Sequence, residues 1–227
     1  MSSKIFKMQK TKLPPFQRAR QPNQITERKE AVLRAALKLF QKHGLENVSL
    51  NDIAREIGSA KSNLYRYFES REHIYLLVLQ KLAAEWEGRL YPALRRLKGK
   101  GTVAKVAEIV TQAYIDSAEY SELITVVNSV LEKNLTPELV VNFRSVFLER
   151  RKRMAEALAA ALPNAATERM FPLTLHIFLH VPGLWTFCYP APGSKKLLDE
   201  SEHSCLKFDF KVEMTLFLRM ILREAII

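Results

Sequence analysis

Four helix signals follow one another closely between Thr26 and Ser70, and they restrict the fold more than any other feature of the chain. The segment TERKEAVLRAALKLFQKHG carries an apolar stripe at helical spacing and ends at Gly44. VSLNDIAREIG then opens with Ser49 and Asp52 at the S-x-x-D spacing of a capping box and stops after two turns. Another short helix, GSAKSNLYRYF, begins within three residues, and a long helix begins at Ser70. Two short helices joined by a tight glycine-containing turn, braced by a preceding amphipathic helix, predict a helix-turn-helix.

The second short helix presents an unusually polar surface. When GSAKSNLYRYF is wound as a helix, Leu64 and Phe68 fall on one face, one turn apart. Lysine and asparagine side chains suit guanine and adenine edges in the major groove, and a tyrosine hydroxyl can bind a phosphate. We therefore expect duplex DNA as the partner of the remaining surface, which carries Lys61, Ser62, Asn63, Tyr65 and Arg66, with Tyr67 at its edge.

The distribution of charge agrees with a polyanionic partner. Residues 1–82 contain 16 Lys and Arg against 7 Asp and Glu, whereas residues 83–227 contain 19 against 17. The basic excess therefore belongs to the first third of the chain. Residues 1–25 contain no acidic residue and three prolines, which predicts a flexible basic arm rather than a regular helix.

The remainder of the chain reads as further helices, so the predicted fold class is all-α. With only 7 glycines in 227 residues, the composition disfavours a fold rich in tight turns. Helical patterns cover TVAKVAEIVTQAYIDSA, SELITVVNSVLEKN, a long segment opened by Thr136 and Pro137, the apolar segment after Thr167, and FDFKVEMTLFLRMILREAII. We expect SKKLLDESEHS to be a loop and the run ERRKR at 149–153 to be a solvated helix face.

The segment IAREIGSAKSNLYRYFESREHI resembles the DNA-binding signature of the tetracycline-repressor (TetR) family of transcriptional regulators. The close match covers roughly residues 27–80, and the rest agrees only in helix layout. The resemblance implies that Ser49 caps the first helix of the pair and touches phosphate, and that Lys61, Ser62 and Asn63 reach base edges. It also places Tyr65 and Tyr67 on the DNA backbone and Arg71 at a phosphate beside a helix N-terminus. One departure is Ser59-Ala60, where Ser59 could cap the helix one position early.

The same resemblance implies three parts: a basic arm at 1–25, a helix-turn-helix domain at 26–72 and a helical effector-binding and dimerisation domain at 73–227. The implied function is a ligand-responsive regulator, a repressor that binds a palindromic operator as a homodimer and is released by a small molecule. Dimer contacts are expected from the apolar segment and the last helix, at Leu173, Ile177, Leu184, Leu216, Phe217 and Met220. The expected effector-binding residues are Tyr114, Asn128, Phe143, Phe147, His176, Trp185 and Phe187.

Several alternatives remain open on the sequence. A structural or cell-division DNA-binding protein on the same fold would need no effector and would bind many chromosomal sites. His176 and His180 have the spacing of two metal ligands on one helical face, but no third ligand follows from the sequence, and we expect no metal or other cofactor. The sequence contains no nucleophile–base set, phosphate loop or cofactor fingerprint, so we do not expect an enzyme.

The location of the protein is a further expectation. Residues 170–194 carry no charge and are long enough to cross a bilayer, but His176, His180 and the pair Pro182-Gly183 favour a buried or subunit-interface helix. The two cysteines, Cys188 and Cys205, form no disulfide framework, and the N-terminus lacks the apolar region of a signal peptide. We expect a cytoplasmic protein without a membrane span.

Overall fold

The computed structural model describes residues 22–226, apart from the side chains of residues 22, 128, 192, 201 and 204. It is 78% helical, and no strand occurs in that part of the chain, which confirms the all-α prediction. The described residues form two compact units, one ending at Glu69 and the other beginning at Ser70. Most of the predicted basic arm, residues 1–21, lies outside the described residues.

The first unit contains three helices: α1 (Pro22–His43), α2 (Leu50–Glu56) and α3 (Lys61–Leu64). α1 begins four residues before the predicted cap, so Thr26 lies within the helix and residues 22–25 do not belong to the arm. The physical reason is that a proline is tolerated at the first helical position, where its missing N–H needs no partner. Gly44 and Gly58 have φ angles of 73° and 64°, the left-handed conformation that ends α1 and α2.

The capping box at the start of α2 is formed as predicted. The backbone N–H of Asp52 donates to Ser49 Oγ at 3.2 Å, and the backbone N–H of Ser49 donates to Asp52 Oδ2 at 2.9 Å. The hydrogen bonds from the Ser49 hydroxyl and backbone lower the pKa of the Asp52 carboxyl. The charged carboxylate of Asp52 therefore accepts the hydrogen bonds that complete the capping box.

A lowered carboxyl pKa in the folded chain predicts a specific pH dependence of stability. The contribution of Asp52 should be fully present above its unfolded pKa of about 3.9 and should be lost as the pH falls through the lower folded value. We expect the urea midpoints of the wild type and Asp52→Asn to differ at pH 7 and to converge below pH 4. Exposed Glu46→Gln removes the same charge outside the box and serves as the control. A difference that stays constant down to pH 2 would contradict the assignment.

The second unit is built around α4 (Arg71–Arg95), which packs against α5 (Val103–Ile115), α6 (Ala118–Ile124) and α7 (Pro137–Ala161). α7 packs along α8 (Thr167–Cys188), and α10 (Phe210–Glu224) packs against α5 and α8. Ser70 caps α4, accepting a hydrogen bond from the His73 backbone N–H at 3.0 Å, as its sequence signal predicts. The centre of the unit contains the fully buried side chains Leu90, Leu94, Leu123, Leu131, Leu158, Met170 and Ile177.

Two segments differ from their predictions. The segment predicted as one helix at 121–134 is α6, a π-helical segment at Val127–Leu131 and a 3₁₀ turn at Glu132–Asn134. The predicted loop at 194–204 instead contains α9 (Pro192–Leu198) and a 3₁₀ segment at Ser201–Leu206. In the second case Pro192 occupies the start of the helix, where proline is favoured.

Candidate nucleic-acid interface and ligand cavity

The polar face of α3 and the turn after it is directed to solvent. Lys61, Ser62, Tyr65 and Arg66 are exposed, whereas Leu64 and Phe68 are 1% and 2% exposed. Tyr65 is 54% exposed although it is aromatic, and Lys61 Nζ lies 5.6 Å from its ring centroid. Leu64 and Phe68 thus anchor the segment in the first unit, and the polar side chains are free to meet a partner.

Ser59, which the sequence offered as a possible cap one position early, does not cap α3. The N-cap residue is Ala60, which has no side-chain hydrogen bond. Ser59 Oγ instead accepts a hydrogen bond from the Asn63 side-chain amide at 3.3 Å. Asn63 is half-buried and held toward the turn, so its second amide hydrogen and its carbonyl oxygen are the groups left for a base edge.

The other candidate DNA contacts lie at helix ends and at the edge of this face. Ser49 is exposed at the start of α2, and Tyr67 is half-buried with its ring 6.4 Å from that of Phe68. Arg71 is the first residue of α4, and its guanidinium forms an ion pair with Glu72 at 2.7 Å. DNA contact by these residues stays a prediction, together with that by Lys61, Ser62, Asn63, Tyr65 and Arg66.

A cavity of about 40 Å³ lies in the second unit among α4, α5, α6, α7 and α8. Three aromatic rings form one wall: Trp86 lies 4.9 Å from Tyr114 and 5.5 Å from Tyr120 between ring centroids. Burial raises the pKa of both phenols, so they remain protonated at neutral pH. The other lining residues are Glu87, Phe147, Arg150, Arg151, Met154, Thr174 and Phe178.

The cavity contains an ion pair between two helices. Arg150 Nη1 on α7 lies 2.8 Å from Glu87 Oε1 on α4, and Arg150 Nη2 donates to the Gln80 carbonyl oxygen at 2.9 Å. The side chains of Arg150 and Glu87 are only 18% and 12% exposed. Arg151 donates from Nε to Thr174 Oγ1 at 3.1 Å, and burial lowers its pKa. The prediction that ERRKR is a solvated face is therefore wrong for Arg150 and Arg151.

The sequence did contain a signal for Arg150. Phe143, Phe147 and Met154 belong to the predicted apolar stripe of α7, and Arg150 lies three residues after Phe147 and four before Met154. Those spacings put it on the same face of the helix. A charge on an apolar stripe marks an interior polar site, and that signal was missed because the run of charges was interpreted as a unit.

The predicted effector residues fall in different places. Tyr114 and Phe147 line the 40 Å³ cavity, and Phe143 and Phe147 line an adjoining apolar cavity of about 20 Å³. Trp185 is buried against Phe210 and Tyr189 instead, and Phe187 is 65% exposed beside Phe208. His176 is exposed on α8, and the side chain of Asn128 lies outside the described residues.

The predicted dimer residues differ in how far their side chains are exposed. Leu216 and Met220 are 53% and 61% exposed on α10, whereas Leu173, Leu184 and Phe217 are partly covered. Ile177 is fully buried within the chain, so it has no surface for a second copy, and this assignment is corrected. The large apolar side chains that α8 and α10 expose most are Leu175, Leu179, Phe187, Val212, Leu216 and Met220.

The two histidines of α8 do not form a metal cluster. His180 stacks on Phe217 with ring centroids 3.8 Å apart, and burial lowers its pKa. Within residues 22–226, the one group of three potential ligands with atoms mutually within 4.8 Å is Glu200, Glu202 and His203, on the exposed segment after α9.

Comparison with known families matches both units of the chain. The family model "Bacterial regulatory proteins, tetR family" matches residues 32–78, and "Tetracyclin repressor-like, C-terminal domain" matches residues 80–223. The chain belongs to the TetR family. It is accordingly a transcriptional regulator with a helix-turn-helix DNA-binding domain, which confirms the resemblance seen in the sequence.

Individual relatives agree with the family assignment. The HTH-type transcriptional regulator RutR of Escherichia coli is 37% identical over 62 residues, and this match spans 27% of the present chain and 29% of RutR. An HTH-type regulator encoded in the lacX 3' region of Lactococcus lactis is 27% identical over 161 residues, 68% of this chain and 80% of that protein. The strong similarity to RutR is thus confined to a short part of both proteins.

Solved structures share the fold at low sequence identity. A transcriptional regulator from Rhodococcus sp. Rha1 has a TM-score of 0.57 at 15% identity, covering 88% of this chain and 98% of its own. The multidrug binding protein EbrR, solved with imidazole, has a TM-score of 0.56 at 14% identity, covering 92% and 95%. These likenesses concern the fold of the TetR family and not the ligand.

Helix α8 combines high hydropathy with unusual exposure. It has 22 residues, and by length and composition it could cross a membrane. Only 22% of its most apolar window is buried within the chain. The TetR C-terminal family model includes this helix, and α8 packs on α7 and α10. Much of the apolar surface of α8 is therefore exposed in a single copy of the chain.

Proposed function

We propose that the chain is a cytoplasmic repressor that binds a palindromic operator as a homodimer and is released by a small-molecule effector. The observation that carries the proposal is the exposed face of α3, where Lys61, Tyr65 and Arg66 project from a segment anchored by Leu64 and Phe68. These side chains can contact base edges and phosphates, and the basic excess of residues 1–82 favours binding to a polyanion.

Operator palindromy follows from the proposed dimer. One helix-turn-helix reads only a few base pairs, so two copies related by a two-fold axis are needed to read a longer site. The exposed apolar side chains of α8 and α10 supply a surface for the second copy. They recur at spacings of four residues: Leu175 and Leu179 on one helix, and Val212, Leu216 and Met220 on the other. A second copy would cover this face without any membrane.

A charge placed on this face should prevent dimerisation. For Leu179→Glu/Leu216→Glu we expect the dimer dissociation constant to rise at least about 100-fold, because two carboxylates would be buried in an apolar interface. Size-exclusion chromatography with light scattering gives the mass directly. Val141→Glu, at a 66% exposed site on α7, should leave the dimer intact. If Leu179→Glu/Leu216→Glu remains dimeric, the interface lies elsewhere.

The effector site that we propose is the cavity lined by Trp86, Tyr114, Tyr120 and Arg150. It combines aromatic rings with a few charged groups, and it lies against α4, the helix that begins immediately after the DNA-binding unit. A ligand that fits one arrangement of α4 better than another would shift the equilibrium between DNA-competent and DNA-incompetent states.

Repression can be tested in the source organism. In a strain lacking this chain, transcripts of the genes beside the operator should increase, and restoring the chain should lower them again. A decrease on deletion would identify an activator. No change at any gene next to a binding site, together with many dispersed sites, would favour a structural role in the chromosome.

A further inference from the structure

The interior of the second unit contains hydrogen-bond donors that lack acceptors. Trp86 is 4% exposed, and no acceptor for its Nε1–H is found among residues 22–226. The same holds, within the described part of the chain, for Arg150 Nε and Nη1. Nη1 is 2.8 Å from Glu87 Oε1, an ion-pair distance, but the geometry of a hydrogen bond is absent. Buried polar groups in proteins are almost always paired, so these donors favour a bound partner.

The chemistry of these atoms restricts that partner to an acceptor. Indole Nε1 and all guanidinium nitrogens only donate hydrogen bonds. Arg150 and Arg151 contribute two positive charges to the cavity lining, and Glu87 contributes the one negative charge there. Glu87 also pairs with the more exposed Arg153, since Arg153 Nη2 lies 3.4 Å from Glu87 Oε2. The cavity therefore favours an anion that accepts several hydrogen bonds.

The shape of the interior restricts the anion further. The cavity of about 40 Å³ is small, so it suits a compact group such as a carboxylate better than a large ring system. The adjoining 20 Å³ cavity shares Tyr120, Phe147, Arg150 and Phe178 with it and adds a wall of apolar side chains: Leu79, Ala83, Ile124, Phe143 and Val146. The adjoining cavity therefore suits a short hydrocarbon chain and disfavours a second charged group on the ligand.

From these observations we infer that the effector is a short-chain monocarboxylate. Its carboxylate binds Arg150 and the Trp86 indole N–H, and its hydrocarbon chain lies beside Phe147 and Phe178. The inference rests on the proposed function in one respect, namely that the chain responds to a ligand in this cavity.

The same ion pair couples the ligand site to α4. Glu87 lies on α4, and its partner Arg150 lies on α7. A ligand carboxylate on Arg150 competes with Glu87 for the guanidinium, and this weakens the attachment of α4 to α7. α4 begins at Arg71, directly after the unit that ends at Glu69. The bound anion therefore alters the packing of the helix that follows the DNA-binding unit in the chain.

Titration calorimetry on the full chain tests the ligand class with sodium butyrate as the probe. We expect saturable binding of butyrate and none of butyramide or n-butylamine, which have similar size without the negative charge. Octanoate should bind at least about 10-fold more weakly than butyrate, because its longer chain exceeds the space of the two small adjoining cavities. Equal binding of butyrate and butyramide, or no binding of butyrate, would overturn the inference.

Three variants distinguish a loss of butyrate recognition from a loss of folding. The paired substitution Glu87→Gln/Arg150→Gln leaves no unpaired buried charge and should weaken butyrate about 100-fold. Trp86→Phe keeps the ring but removes the N–H, and should weaken it about 10-fold. Lys152→Gln, at an exposed site on the same helix, should change affinity by less than about twofold. Butyrate binding that is unaffected by the first two variants would contradict the site.

A separate measurement of operator binding keeps the two proposals distinguishable. A chain that binds its operator and is indifferent to every carboxylate retains the regulator and overturns the carboxylate site. A chain that binds butyrate with unchanged operator affinity upholds the site and contradicts release by this effector.

Discussion

Replacing Arg150 with methionine is expected to lower the free energy of unfolding by about 3 kcal/mol, because the buried Glu87 carboxylate loses its nearest cation. The Glu87 side chain is only 12% exposed, and its other cation, Arg153, lies at 3.4 Å on the solvent side. The methionine keeps much of the volume on the apolar stripe between Phe147 and Met154, so the loss comes from the broken ion pair. Urea unfolding of the full chain measures the effect.

Two further variants make this result specific. Arg153→Met removes the more exposed cation and should lower stability by less than about 1 kcal/mol. Glu87→Gln combined with Arg150→Met should recover most of the loss, since the buried charge is then absent. If Arg150→Met and Arg153→Met have equal effects, the Glu87–Arg150 pair is not the internal link between α4 and α7.

The double variant Lys61→Ala/Tyr65→Ala is expected to bind the operator about 100-fold more weakly at a fixed salt concentration. A specific interaction of each side chain with DNA contributes about 1–3 kcal/mol, and the removal of two such interactions from each helix-turn-helix accounts for the weaker binding. Stability should be little altered, because both side chains are exposed and Leu64 and Phe68, which anchor the segment, are retained.

Fluorescence anisotropy on a labelled operator fragment gives the affinities, and urea unfolding provides the folding control. Lys133→Ala, at an exposed site in the second unit, should not change operator affinity by more than about twofold. A double variant that binds as tightly as the wild type would show that DNA is bound by another surface.

The first unit was predictable because each of its elements is determined by local signals. Ser49 and Asp52 form the capping box, and Gly44 and Gly58 take the left-handed conformation, at the places that the sequence indicates. Two starts differ: α1 begins at Pro22 rather than after Thr26, and α3 is not capped by Ser59. The Ser59 hydroxyl is occupied by the Asn63 amide, a side-chain contact that no start signal encodes.

The second unit was less predictable because its site depends on contacts between distant segments. Trp86, Tyr114, Tyr120 and Arg150 come from four helices, and only Tyr114 was among the expected effector residues. Aromatic residues such as Trp185 have the same local pattern, but Trp185 packs from α8 against Phe210 on α10. Periodicity identifies which residues are buried, and tertiary packing decides which of them border a cavity.

Selection of genomic fragments by the purified full chain at a stated salt concentration, in parallel with Lys61→Ala/Tyr65→Ala, tests whether the exposed face of α3 recognises a specific operator. We expect the wild type to recover one or a few palindromic sites and the variant to recover none of them. Dispersed, salt-sensitive binding that survives both substitutions would contradict this expectation, since duplex DNA would then be bound without the exposed face of α3.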